Sequence, residues 1–208
     1  MKFKPILTYS LAFASLLLVS PALVHAQVHD PAGPRANMNS AAADVNQMVP
    51  AQAALKNTID ARKEQPGRGF DAVLTQKVHL KDGTELPKGT TLVGKVETDS
   101  VLSSGKSTLT LKFTEAKLKD GKQIPIKATI VGVAPPYTYQ GEDQAGTDYL
   151  SPWDGRSSEF DQVGALSGVD LHSRISGRNS GTFVSGKKDL KLSDGSQLAL
   201  AIGAPGNA

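Results

Sequence analysis

Apolar and polar residues alternate along much of residues 70–133, with the two-residue period of strands that bury one face. In the clearest case, residues 109–113, two leucines and a phenylalanine alternate with threonine and lysine. The pattern continues at residues 124–130 and returns at 182–184 and 190–202. The alternation predicts a chain that is mostly β.

A repeated phrase adds turns to these strands. Residues 80–94 (LKDGTELPKGTTLVG) and 118–132 (LKDGKQIPIKATIVG) align without a gap, and eight of the fifteen positions are identical. A shorter third copy, LSDGSQLAL, spans residues 192–200. Asp-Gly between apolar stretches is a strand-turn-strand signal. The sequence therefore predicts three β-hairpins.

The apolar pattern also chooses the register of these hairpins. A two-residue type I′ loop would place Leu80 opposite Glu85, whereas a type I turn with a left-handed glycine bulge places Leu80 opposite Thr84. The second register gathers apolar residues on one face, and a slip of one residue would expose them. It pairs Val78 with Leu86, Ala116 with Ile124, and Leu190 with Leu198. It predicts left-handed glycines at three turn positions: Gly83, Gly121 and Gly195.

Residues 1–26 have the parts of an export signal. Lys2 and Lys4 give a positive start, an apolar run follows, and residues 24–26 supply a small-residue cleavage site. We expect a mature chain that begins at Gln27, is periplasmic or secreted, and keeps no transmembrane helix. An uncleaved anchor is the alternative, although the apolar run is shorter than the roughly 20 residues that a spanning helix needs.

Charge and cysteine content exclude several classes of function. The chain has 23 basic and 20 acidic residues, and removal of the signal leaves 21 against 20. So balanced a charge gives no electrostatic case for nucleic-acid binding. There is no cysteine, which excludes a lipid-anchored lipoprotein and disulfides. Stability must therefore come from a hydrophobic core.

The composition divides the mature chain into three parts. Residues 27–49 have the composition of a flexible linker. Residues 50–135 and 183–204 carry the β pattern and form one domain. Residues 136–182 are a polar insert rich in Gly and Ser. We expect an all-β fold, a small barrel or tight sandwich of antiparallel hairpins with a long, largely irregular insert.

The insert holds the candidate contact residues for a ligand or partner. Aromatic side chains in a polar loop can stack on sugars or anchor a partner, and they can also pin the loop to the barrel. Four acids in the same insert lack the spacing of a calcium loop and are expected to be solvated. The candidate contacts are Tyr137, Tyr139, Tyr149 and Trp153, and the acids are Glu142, Asp143, Asp148 and Asp154.

Enzyme chemistry has little support in the sequence. Asp170 and His172 could be a carboxylate and a base, but no activated nucleophile motif accompanies them. No His/Cys cluster has zinc spacing. We expect a non-enzymatic protein without cofactor or metal, and an enzyme of unrecognised type centred on His172 is the less favoured alternative.

Residues 50–66 fit two elements on local pattern alone. Leu55 and Ile59 lie four apart behind Pro50, as in a helix, and they also alternate with polar residues, as in an edge strand. Periodicity slightly favours the helix.

The order of short motifs resembles a known family. The motifs are Ala54-Leu55-x-x-x-Ile59-Asp60, then Pro66-Gly67, then Ala72-Val73, then Leu86-Pro87-x-Gly89-Thr90-x-Leu92-x-Gly94. This order resembles the C-terminal β-barrel of conjugation and type IV secretion channel subunits, and still more the small exported envelope proteins that carry such a barrel alone. The resemblance implies a strand at residues 52–60. Those channel subunits form a pore with an amphipathic helical insert, which residues 136–182 lack, so we expect no pore.

Together these features predict a barrel module that acts by binding or assembly in the cell envelope. Its partner would be an envelope protein or a cell-wall polymer. The alternative is carbohydrate or cell-wall binding through the aromatic residues of the insert.

Overall fold

The computed structural model describes residues 44–101, 105–136, 153–186 and 189–205. The predicted signal peptide and most of the predicted linker lie outside these residues. Within them, residues 44–47 form one helical turn, and every other regular element is a strand. The prediction of an all-β fold is confirmed.

The described part of the chain contains fourteen strands, numbered here in chain order. They are β1 (Val49–Leu55), β2 (Ile59–Asp60), β3 (Gly69–Leu74), β4 (Val78–His79), β5 (Glu85–Leu86), β6 (Thr91–Val101), β7 (Ser107–Lys117), β8 (Gln123–Pro125), β9 (Lys127–Ala134), β10 (Glu159–Leu166), β11 (Val169–Arg174), β12 (Gly181–Ser185), β13 (Lys191–Leu192) and β14 (Gln197–Gly203).

Residues 52–60, which were ambiguous between helix and strand, lie mostly in β1 and β2. The helix favoured by periodicity is wrong. The strand implied by the resemblance is confirmed at residues 52–55 and 59–60, and residues 56–58 separate it into two strands. β1 pairs with β14 on one side and with β3 on the other. These ladders bury Ala53 and Leu55 completely or nearly so. Pairing with distant strands therefore overrides the local helical spacing.

Nine strands form the wall of a barrel. Their order is β10-β11-β12-β7-β6-β3-β1-β14-β9, every neighbouring pair is antiparallel, and β8 adds to β7 at one end. The sheet curls until its two ends approach, which gives a nearly closed barrel. Two short pairs, β4 with β5 and β2 with β13, stand apart from this order.

The first two Asp-Gly copies have the register that the apolar pattern selected. Val78 lies opposite Leu86, and the Leu80 amide donates to the Thr84 carbonyl at 2.9 Å. The second copy repeats this geometry, with Ala116 opposite Ile124. Gly83 and Gly121 have φ of 87° and 88°, the left-handed region that the bulged turn requires. In each turn the aspartate side chain accepts the amide two residues ahead, which fixes the turn further.

The third Asp-Gly copy is a turn but not a hairpin, so the predicted pairing of Leu190 with Leu198 is wrong. The strand before the turn, β13, pairs with β2, and the strand after it, β14, pairs with β1 and β9. The turn also begins one residue later, since the Ser196 amide donates to the Ser193 carbonyl. Gly195 still has φ of 77°, because it now occupies the third turn position, which needs positive φ in type II and I′ turns.

The barrel interior is filled by apolar side chains, here called the interior core. All wall strands except β10 bury inward-facing residues in it, and those of β7, Leu109, Leu111 and Phe113, are at most 2% exposed. Gly94 on β6 makes room for the ring of Phe70, which meets Phe113 edge-on at 5.1 Å between ring centroids. Other large members of the interior core are Leu74, Leu92, Leu171, Phe183, Leu198 and Leu200.

A second apolar group lies on the outside of the barrel and is here called the outer cluster. It covers the outward faces of β9 and β14 with residues from three other segments. A bulge at Val131 in β9 lets Ile130 and Val133 both face inwards while Val131 joins the outer cluster. The outer cluster consists of Val45, Met48, Val131, Trp153, Ile175, Ala199 and Ala201, with Phe160 partly buried against it.

The predicted insert, residues 136–182, is more regular than expected in its second half. β10 and β11 form a hairpin, and β11 pairs with β12 to join the barrel wall. The second half is regular because its apolar residues alternate as in a strand: Val169 and Leu171 in β11 both point into the interior core. The barrel domain therefore extends into residues 159–174.

The gap between the first and last wall strands is bridged by individual hydrogen bonds, and this junction is here called the seam. Gln162 of β10 donates its side-chain amide to the Val131 carbonyl at 3.1 Å. Ser173 donates its hydroxyl to the Ile130 carbonyl, and the Ile130 amide donates to the Ser180 carbonyl at 2.7 Å. These bonds satisfy backbone groups of β9 on the side that has no ladder partner.

Candidate functional site

Trp153 is the one candidate aromatic contact that the structure describes. Its side chain is 7% exposed and belongs to the outer cluster, and its indole N–H donates to the Ser157 carbonyl at 3.0 Å. A ring buried in this way attaches its segment to the barrel and offers no face to a sugar. The other three candidates, Tyr137, Tyr139 and Tyr149, lie outside the described residues.

His172 has a carboxylate partner, but it is not Asp170. His172 Nδ1 lies 2.7 Å from Asp161 Oδ1, directly across the β10–β11 ladder. Asp170 instead accepts a hydrogen bond from the Gly164 amide at 2.7 Å. Gly164 lies where β10 bulges between Gln162 and Leu166, and the bulge brings its amide to Asp170. The sequence could not identify Asp161, since that contact depends on the β10–β11 register.

The His172 pair belongs to a polar row on the outer barrel face. Thr182 of β12 is opposite His172, and Thr110 of β7 is opposite Thr182, with 3.2 Å between the two threonine hydroxyls. His172 and Asp161 are 48% and 73% exposed at their side chains. The pair provides a base and an orienting carboxylate on an open surface. Among the described residues, no group of three or more His, Cys, Asp and Glu side chains could hold a metal ion.

The described surface also contains a groove of about 400 Å³, here called the lysine groove. Its base is the outward face of β3, β6 and β7. Asp71, Val93 and Glu115 form one row across these three strands, and Thr91 and Lys117 form the next. Its remaining lining comes from Lys56, Gly89, Leu118, Lys119 and Gln123.

The two copies of the long repeat meet at the lysine groove. A side-chain carbon added at Gly89 in the first copy would lie 3.1 Å from Lys119 Cε in the second copy. The stem of Lys119 therefore lies over Gly89, whose φ of 86° also favours glycine. Sequence reasoning read the repeat only as scaffold and missed this groove. The available signal was the set of polar, outward positions next to the repeated turns.

The fold defines the class of this protein: an all-β, nine-strand antiparallel, nearly closed barrel with a filled interior. No helix in the described residues is long and apolar enough to cross a membrane. The chain is similar in structure to ComB10 of the Com type IV secretion system of Helicobacter pylori, with a TM-score of 0.34 and 11% sequence identity, over 74% of this chain and 83% of that chain. The similarity concerns architecture, and no function is transferred from it.

Comparisons of sequence add no family. No protein-family model matches the chain. No curated protein matches it either. The nearly closed β-barrel that the resemblance to type IV secretion subunits implied is present in the structure.

Proposed function

We propose that this protein is a non-enzymatic barrel module that is exported and acts by binding or assembly in the cell envelope. The observation that carries the proposal is the filled interior. Phe183, Leu111 and Leu171 are fully buried at its centre, so the barrel has a packed core where larger barrels hold a ligand. The groups able to contact a partner therefore lie on the outer face.

The sequence supports the location of this module. The positive start, apolar run and small-residue site of residues 1–26 are those of an export signal. The partner would be an envelope protein or a cell-wall polymer, met in the periplasm or outside the cell.

Fractionation combined with crosslinking tests the proposal. A photoreactive residue is placed singly at exposed outer positions, such as Val163, which is 89% exposed, and Lys81 in the first Asp-Gly turn. We expect the protein in the envelope or external fraction, with discrete higher-mass products from some positions and none from others. Irradiation of purified protein alone is the control. Cytosolic protein that gives no product from any position would contradict the proposal.

A second candidate, an enzyme centred on His172, has one favourable observation: the 2.7 Å contact between His172 Nδ1 and Asp161. This contact would hold the ring so that Nε2 could accept a proton. A screen of ester, glycoside and phosphoester substrates tests it, with His172→Gln as the matched control. Turnover by the parent protein that this variant abolishes would support the enzyme over the binding module.

A further inference from the structure

The lysine groove is lined by three lysines from separate parts of the chain. Lys56 follows β1, Lys117 ends β7, and Lys119 lies in the second Asp-Gly turn. Within the described residues, the ion pairs formed by lysines involve Lys77, Lys112 and Lys127, and none involves these three. Their charges are therefore available to a ligand.

The same groove contains groups suited to hydroxyls. Asp71 and Glu115 stand in one row on its base, and the Gln123 side-chain amide donates to Glu115 Oε1 at 3.1 Å. Carboxylates accept hydrogen bonds from hydroxyls, and an amide side chain can both donate and accept. A ligand that carried only negative charges would be repelled by the two carboxylates.

Apolar contact surface completes the lining. Val93 is partly buried on the base of the groove, and Leu118 borders the groove while it packs against the interior core. Such side chains suit the carbon-rich face of a sugar ring, while the polar groups around them orient its substituents. The volume of about 400 Å³ lies within the roughly 300–1,000 Å³ of small-molecule sites.

We propose that the lysine groove binds an acidic saccharide, a sugar chain that carries carboxylates. The three lysines outnumber the two carboxylates of the groove, so the ligand carries net negative charge. Its carboxylates contact the lysines, and its hydroxyls contact Asp71, Glu115 and Gln123. This inference deepens the proposed binding function and rests on it for the presence of such a polymer where the protein works.

Calorimetric titration of the purified protein with oligogalacturonate tests the groove. The probe has carboxylates and ring hydroxyls together, and its methyl-esterified form lacks the charge. We expect binding to the acidic form that weakens as salt is added, because exposed ion pairs are screened, and at least about tenfold weaker binding to the ester.

Charge reversal locates the binding. Lys117→Glu and Lys119→Glu are each expected to lower the affinity about tenfold. The matched control is Lys122→Glu, which changes an exposed lysine of the same hairpin outside the lining and should change the affinity less than about threefold. Unfolding curves of all three variants check that the barrel is intact. Equal losses for Lys119→Glu and Lys122→Glu would overturn the proposal in favour of non-specific charge attraction.

Two competing anions test the class of ligand. Polyphosphate lacks hydroxyls, and oligoglutamate lacks rings, so both should bind at least about tenfold more weakly than oligogalacturonate. Glu115→Gln removes one repelling carboxylate and should improve the binding of polyphosphate more than that of the saccharide. Equal affinity for all three anions would overturn the assignment to saccharides.

The outcome separates this inference from the proposed function. Failure of oligogalacturonate to bind, with crosslinks still formed in the envelope, overturns the groove assignment alone. Binding by purified protein that is found only in the cytosol supports the groove and contradicts the envelope function.

Discussion

The interior core and the outer cluster share strands β9 and β14, but the chain builds them in different ways. The interior core takes inward-facing residues from every wall strand except β10, whose Ala165 and Leu166 only pack against it partly buried. The outer cluster takes residues from the segments around Val45, Trp153 and Ile175, which lie over two alanines of β14. The first therefore holds the barrel together, and the second attaches covering segments to its outside. Loss of a side chain from the interior core should therefore destabilise the whole fold. Loss of one from the outer cluster should mainly detach a covering segment.

Truncation of one large aromatic in each region should give the largest effect and the clearest contrast. Phe183→Ala empties a fully buried position of the interior core and should lower the free energy of unfolding by about 3–5 kcal/mol. Trp153→Ala should cost less, about 2 kcal/mol, because its segment can detach while the barrel persists. Denaturant unfolding measures both. A larger loss for Trp153→Ala would break the distinction between the regions.

Two glycines provide a matched test of overpacking. A side-chain carbon at Gly94 would clash with the ring of Phe70, and one at Gly203 would lie 2.7 Å from the Gln47 carbonyl oxygen. Gly94→Ala should destabilise the whole barrel by about 1–3 kcal/mol. Gly203→Ala should instead displace the helical turn at residues 44–47.

Hydrogen exchange distinguishes the two glycine variants. Gly203→Ala should raise exchange near residues 44–48 and leave the wall strands protected. Gly94→Ala should raise exchange throughout the barrel. The same pattern in both variants would mean that the covering segment and the barrel unfold as one unit.

A smaller change separates packing from hydrogen bonding within the outer cluster. Trp153→Phe keeps an aromatic ring and removes the N–H that donates to the Ser157 carbonyl. The expected cost is about 1 kcal/mol, the usual net contribution of one such bond. Trp153→Ala is the reference, measured by the same unfolding curves. Equal costs for the two variants would mean that the hydrogen bond, and not packing, holds this segment.

The smallest expected effect is at Asp60, which lies between Ile59 and Ala61 of the interior core. The hydrogen bond from the Arg62 side chain lowers the pKa of Asp60, with burial acting in the opposite direction. A carboxyl with a lowered pKa in the folded state contributes stability above its unfolded pKa of about 3.9 and loses it as pH falls through the folded value. Asp60→Asn should therefore cost about 0.5–1 kcal/mol at pH 7 and almost nothing below pH ~2.

Unfolding free energies of both proteins across this pH range measure the effect. Asp120→Asn changes an exposed carboxylate of a turn and serves as the control. The unfolding free energies of Asp60→Asn and the parent protein should converge at low pH. A constant difference between them would contradict the role of Arg62.

The sequence predicts the interior core better than it predicts the outer cluster, for a physical reason. Strict alternation, as at residues 109–113, identifies a strand with one buried face, and the Asp-Gly turns set the register of the first two hairpins. Residues 128–134 and 198–202 have almost continuous small and apolar residues, which is typical of strands buried on both faces. The sequence therefore indicates that β9 and β14 are covered on their outer faces. It does not indicate which segments cover them, because those segments are distant in sequence.

The parts that sequence reasoning missed depend on pairing between distant strands. The third Asp-Gly copy carries the same local signal as the other two, yet β1 and β9 take the strand that would complete its hairpin. The contact between Asp161 and His172 and the rows of the lysine groove follow in the same way from register. Local pattern determines which residues face outwards, and only the complete sheet determines which of them become neighbours.

The pairing of β1 with β14 has a consequence for the way this protein is made. Ala51 faces Leu200 across that ladder, so two residues roughly 150 positions apart must meet before the wall is complete. Contacts of such separation form late, because closing a long loop costs entropy before the contact stabilises anything. We expect slow folding that is completed only once β14 is available to pair with β1. Until then one edge of β1 stays open, and this is the interval in which a chaperone would protect the unfolded chain from aggregation.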